Sequence, residues 1–274
     1  MKGISFGQYY PGNSLLHRLD PRIKIVMTVL YIVCTFLCKS AVSFLTLVLS
    51  IFLMILISRI PVKVILRSVR PLLIIIAFTF FINVFWTKGE GDPLLAVGFV
   101  RIYAEGLWNA LFMFLRIFSL VTGTGLLLTY TTTPMDLTDG LESLLSPLKK
   151  LHVPVHVFAM MMSITLRFIP TLSEETEKIM NAQRARGADF SSGSLVKRAK
   201  ALIPILIPLF ISAINRALDL ANAMECRCYH GGEGRTRLKV LKCHARDLFA
   251  SLVIVALGVG IVFLNAIKFG YVMK

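Results

Sequence analysis

The feature that most constrains this chain is its set of long apolar runs, at 23–37, 41–58, 71–86, 105–130 and 248–266. A helix needs about 20 apolar residues to cross a hydrocarbon core of about 30 Å, with some slack at the ends. Each run meets that requirement. The hydrophobic share of 56% and mean hydropathy of +0.74 lie above the roughly 45–50% apolar usage of soluble domains. The expected fold class is therefore an all-α membrane protein with about five transmembrane helices. A cytoplasmic domain of long amphipathic helices would join the fourth span to the fifth.

Charge orients the spans. Thirty Lys and Arg face fifteen Asp and Glu, a formal net charge of +15. Nucleic-acid readers share that surplus but do not carry such apolar runs. With five spans and the N-terminus inside, 24 of the 30 cations fall on the inner side and five on the outer, with Arg116 inside a helix. Cytoplasmic loops carry the excess of Lys and Arg, so the reading is N-terminus in, C-terminus out. Arg59, Lys63, Arg67 and Arg70 follow each other at intervals of four, four and three. That spacing suits a helix along the membrane interface with its charges toward phosphates. The N-terminus lacks the short basic-then-apolar start of a cleaved signal. Five cysteines, with Cys34 in the first run and Cys38 just beyond it, fit a reducing compartment better than a disulfide framework.

The expected divisions are 1–130 with four spans, 131–246 as the amphipathic cytoplasmic domain, and 247–274 with the last span. The middle region contains two further apolar stretches, Val153–Leu172 and Leu202–Ile214. If both crossed, the segment 174–200 with Lys178, Arg184, Arg186, Lys197, Arg198 and Lys200 would be exported, against the charge rule. Three amphipathic helices outside the bilayer are the expectation. Thr133-Pro134-Met135-Asp136 reads as a capped start, followed by Leu137, Leu141, Leu144, Leu145 and Leu148 on one face. The second helix carries Phe158, Met161, Met162, Thr165, Ile169 and Leu172 as a stripe. The third carries Leu202, Leu206, Leu209, Ala213, Ala217, Leu220 and Met224. Gly187 and Gly231-Gly232 are the expected stops. Upstream, Asp20-Pro21 reads as a helix start, and Lys88-Gly89-Glu90-Gly91-Asp92-Pro93 as a turn.

Both long helices run into a turn built around one arginine, Ala185-Arg186-Gly187 and Cys226-Arg227-Cys228. A guanidinium flanked by small residues can enter a groove and fork onto carboxylates or carbonyls. A plainer reading is that cations favour the negative end of a helix dipole. Cys226, Cys228, His230, Cys243 and His244 invite a zinc reading, but C-x-C-x-H lacks the two-residue spacer of a knuckle, and Arg227 would sit between the thiolates. Arg116, costly within a span, should face protein or a watery space. The chain carries no H-E-x-x-H, G-x-S-x-G or phosphate-binding G-x-x-x-x-G-K-[ST] motif, so no catalytic residues and no cofactor are expected.

Three features together resemble the EcfT family, the transmembrane component of energy-coupling factor (ECF) transporters. They are Gly7-Gln8-Tyr9 with Ser14, His17-Arg18-Leu19-Asp20-Pro21-Arg22 and Lys24; the Thr133-Pro134 start; and the two arginine turns. The resemblance covers nearly the whole chain. It implies a non-enzymatic scaffold in a prokaryotic cell membrane, joining two ABC-type ATPases to a substrate-binding membrane subunit that captures a vitamin or metal ion. It implies that Arg186 and Arg227, with Ala185, Gly187, Cys226 and Cys228 around them, dock the ATPases. It implies too that the long helices are coupling helices holding the substrate subunit by apolar contact, here through Met161, Met162, Ile169, Leu206, Leu209 and Ala213. The chain departs from the family at Cys226 and Cys228, where Ala and Gly are more usual. The rival reading is a self-contained intramembrane enzyme or channel built on Arg116 and the Cys/His group.

Overall fold

The computed structural model describes residues 9–86, 95–97, 100–188, 190, 194–231, 241 and 243–266. Gly7-Gln8, the turn from Lys88 to Pro93, and Gly232 lie outside the described residues. The chain divides into two units, Met1–Ser143 with Leu241–Lys274, and Leu144–Val240.

The first unit holds α1 (Pro21–Leu37), α2 (Ala41–Ser58), α3 (Val62–Val69), α4 (Leu73–Trp86), α5 (Ala104–Thr124), α6 (Pro134–Leu144) and α9 (Ala245–Ala266). A short antiparallel hairpin, β1 (Leu95–Val97) and β2 (Val100–Ile102), links α4 to α5. The starts of α1 and α6 are set as the sequence predicts. The Asp20 carboxylate accepts the Arg22 N–H at 2.9 Å, and Pro21 takes the first turn, where a missing N–H costs nothing. Thr133 Oγ1 accepts the Asp136 N–H at 3.1 Å and donates to the Asp136 carboxylate at 2.8 Å.

Around α1 the helices pack on buried Tyr31, Phe44, Leu47, Phe112, Leu126, Leu127 and Ile261. Helix α5 runs antiparallel to α1: the Tyr31 hydroxyl donates to the Ser119 carbonyl at 3.2 Å, and Lys24 Nζ donates to the Thr131 carbonyl at 2.8 Å. Helix α9 runs parallel to α1 and is tied to it at both ends. At its start, Asp247 accepts the Asp20 N–H at 2.9 Å; near its end, Asn265 donates to the Leu37 carbonyl at 2.6 Å and accepts from the Ser43 hydroxyl at 2.9 Å. Arg116 faces protein, as expected. It donates to the Cys38 carbonyl at 2.8 Å and lies 5.6 Å from the centre of the Phe44 ring, which stacks on Phe112.

The described residues of the N-terminal stretch form a latch at the end of this unit where α1 starts and α5 finishes. Tyr10 donates its N–H to the Tyr130 carbonyl at 3.0 Å. The His17 ring bridges Ser14 Oγ at 2.7 Å and the Tyr10 carbonyl at 2.9 Å. Lys24, 2% exposed, also reaches Thr132 Oγ1 at 3.2 Å. A buried ammonium is tolerated only where such acceptors replace water.

The second unit contains a 3-10 turn (Ser146–Leu151), α7 (Val155–Ala185) and α8 (Leu195–Glu225). Helix α8 contains the expected stripe and starts upstream of it. It begins at Leu195, capped by Ser194 Oγ, and runs 31 residues through Pro204 and Pro208. The two prolines remove N–H donors, yet they fall one turn apart, so the disruption stays local. Among the described residues, six helical segments are long and apolar enough to cross a membrane: α2, Val62–Phe85 across α3 and α4, Ala104–Thr129, α7, Val196–Glu225 and α9. The protein is an all-α, multi-pass membrane protein.

Candidate docking site

Helices α7 and α8 meet through polar and apolar contacts side by side. Glu175 accepts the Ser212 hydroxyl at 2.5 Å on one oxygen and the Arg216 guanidinium at 2.8 Å on the other. The Ser212 hydrogen bond, the largest cause, holds the Glu175 carboxyl below its ordinary range against desolvation, and Arg216 and Lys178 add to it. An apolar groove runs from there along Leu172, Phe168 and Ile164 on α7, toward Ala217, Leu220 and Met224 on α8. Lower numbers on one helix face higher numbers on the other, so the pair is antiparallel.

The two helices end alike. At the end of α7, the Gly187 N–H reaches the Arg184 carbonyl at 2.9 Å and the Ala188 N–H reaches the Gln183 carbonyl at 3.0 Å, with Gly187 at φ +88°. At the end of α8, the Cys228 N–H reaches the Glu225 carbonyl at 2.9 Å and the Tyr229 N–H reaches the Met224 carbonyl at 3.1 Å, with Cys228 at φ +55°. Both are Schellman closures, and Arg186 and Arg227 occupy the same position in each. Both arginines are exposed, and neither guanidinium has a partner among the described residues.

Their placement is also matched. Arg186 lies eleven residues beyond Glu175, and Arg227 eleven beyond Arg216, about 16 Å of helix in each case. Because the helices are antiparallel, the two turns extend from the ion pair in opposite directions. The expected stop at Gly231-Gly232 is corrected: α8 closes at Cys228, since a single left-handed residue completes the bonding pattern three residues earlier.

The family model described as "CbiQ: Cobalt transport protein" matches residues 12–238. The chain belongs to the CbiQ/EcfT family. The "Energy-coupling factor transporter transmembrane protein EcfT" of Clostridium kluyveri is 50% identical over 252 residues, which is 92% of this chain and 93% of that protein. Its namesake in Bacillus subtilis is 44% identical over 266 residues, 97% of this chain and all of that one. This EcfT-family chain is thus a membrane component of a transporter rather than an enzyme. Within it the six expected apolar contact residues separate. Met161, Met162 and Leu206 are exposed, Ile169 and Leu209 are half-buried, and Ala213 lines the groove between the helices. Sequence reasoning missed Glu175 and Ser212 as partners, and Ile164 and Phe168 as groove residues. Glu175 meets α8, whereas its neighbour Glu174 is exposed.

Proposed function

We propose that this chain is the coupling subunit of an ECF-type ABC importer, carrying no ATP chemistry of its own. Two ABC-type ATPase subunits dock at the arginine turns, one at Ala185-Arg186-Gly187 and one at Cys226-Arg227-Cys228. A substrate-binding membrane subunit rests on the apolar faces of α7 and α8 around Met161, Met162 and Leu206. Closure of the ATPase pair then changes the angle between α7 and α8 and so moves the substrate subunit, for uptake of a vitamin or other micronutrient.

The observation that carries this reading is the matched pair of helix ends. A helix-dipole preference alone would explain a basic residue near each C-terminus. It gives no reason for one exposed arginine at the same position of the same closure on both helices, eleven residues from a shared ion pair. That arrangement suits two copies of one partner with grooves lined by carboxylates or carbonyls. The relatives named as EcfT support the same reading.

The test is Arg186→Glu together with Arg227→Glu in the co-expressed complex. The purified membrane protein should lose its bound ATPases and its substrate-linked ATP turnover. Retention of both by the double variant would refute the docking role.

A further inference from the structure

The circumference of helix α3 divides into sectors. Ile65 and Val69 are buried against the first unit. Next round the helix come Val62 and Leu66, which are apolar and exposed, at 54% and 64%. Beyond them lie Arg70, Lys63 and Arg67, all exposed and within an arc of about 60° at 100° per residue. Arg59, in a left-handed conformation at the end of α2, adds a fourth exposed cation just before the helix.

These cations are unbalanced. The chain has no acidic residue between Asp20 and Glu90. Among the described residues, none of the four side chains has an ion pair or hydrogen bond. A solvated loop would leave such charges to water. Here the exposed apolar sector adjoins the basic one, and α4, which follows through the 3-10 turn at Arg70–Leu72, is mainly apolar and carries no charge. A helix with Val62 and Leu66 toward acyl chains holds its adjacent cations at the depth of the phosphates.

We propose that α3 and Arg59 form a binding site for anionic phospholipid, with Lys63, Arg67 and Arg70 on the headgroup and Val62 and Leu66 against its chains. By the charge count the site faces the cytoplasmic leaflet, where each Lys or Arg near an anionic surface adds about 1 kcal/mol, or about five-fold in affinity. The site fixes the depth of the loop between the second and third apolar runs, and it does not depend on the docking role of Arg186 and Arg227.

The test titrates short-chain phosphatidylglycerol or phosphatidylcholine into the detergent-solubilised full chain and counts bound lipids by native mass spectrometry. Wild type should prefer phosphatidylglycerol. Lys63→Gln or Arg67→Gln alone should weaken that preference by about five-fold, and Lys63→Gln/Arg67→Gln/Arg70→Gln should abolish it. Lys149→Gln/Lys150→Gln, which removes two exposed cations elsewhere, should leave it unchanged. An undiminished preference in the single variants, an equal loss in the Lys149/Lys150 control, or displacement of lipid by excess inorganic phosphate would each overturn the proposal. If the triple variant fails to fold, the single variants decide.

Discussion

At the scale of single residues, the contact between α7 and α8 turns on Glu175. Its side chain is 23% exposed and that of Arg216 is 40%, so the pair adds little to stability through screened charge alone. Its value is geometric, because it fixes one crossing point from which both arginine turns are measured. Glu175→Arg should leave the ATPases bound, since Arg186 and Arg227 are untouched, but should cut substrate-linked ATP turnover. Adding Arg216→Glu should restore part of it by reversing the pair. Loss of turnover that the swap does not recover would mean that the contact is incidental. The pH dependence follows from the lowered carboxyl. Its contribution is complete above the ordinary value of 4.5 and is lost only as pH falls below that. Spin labels placed on α7 and α8 should therefore report one distance from pH 7 down to pH 5, and a broader one in more acidic buffer. Little of this was legible beforehand. Nothing in one sequence says which carboxylate a partner helix will offer to Arg216 and Ser212.

At the scale of elements, the sequence marked helix starts better than helix stops. Asp20-Pro21 and Thr133-Pro134 are local devices whose partners lie two or three residues away, so spacing reveals them. The end of α8 was misread because a glycine pair outweighed a cysteine. Cys228 takes up a left-handed conformation that most side chains avoid. Close helix approach is another feature that spacing hides. A methyl group added at Gly123 of α5 would fall on the ring of Tyr31, which is wholly buried and tied by its hydroxyl to Ser119. Because the added carbon would overlap that buried ring, Gly123→Ala should destabilise the protein by about 1–3 kcal/mol through overpacking. The melting temperature of the solubilised chain would read this as a drop, and Tyr31→Leu in the same chain should recover part of it. An unchanged melting temperature for Gly123→Ala would show that α1 and α5 can separate at no cost.

At the scale of the whole molecule, the contacts within the first unit restrict the path of the chain. The end of α5, the start of α1 and the start of α9 meet at one place, through Lys24 with Thr131 and Asp20 with Asp247. If the first unit spans the bilayer, the segment between α6 and α9 leaves and returns on the same side, so it crosses an even number of times. Helices α7 and α8 are both long and apolar enough to cross, and the choice is therefore both or neither. Hydropathy favours both. Charge favours neither, because crossing would export the cations between Lys178 and Lys200. Native thiols make the choice testable. Cys226, Cys228 and Cys243 are exposed, while Cys34 and Cys38 are buried in the first unit. A membrane-impermeant maleimide should label the wild type in inverted vesicles and not in right-side-out ones, which fixes the side on which α8 ends. With those three cysteines changed to serine, Ala188→Cys beside the first arginine turn should label from that same side. Labelling of position 188 from the opposite side would mean that α7 and α8 both span, and that Arg186 lies across the membrane from Arg227, out of reach of a shared cytoplasmic ATPase pair.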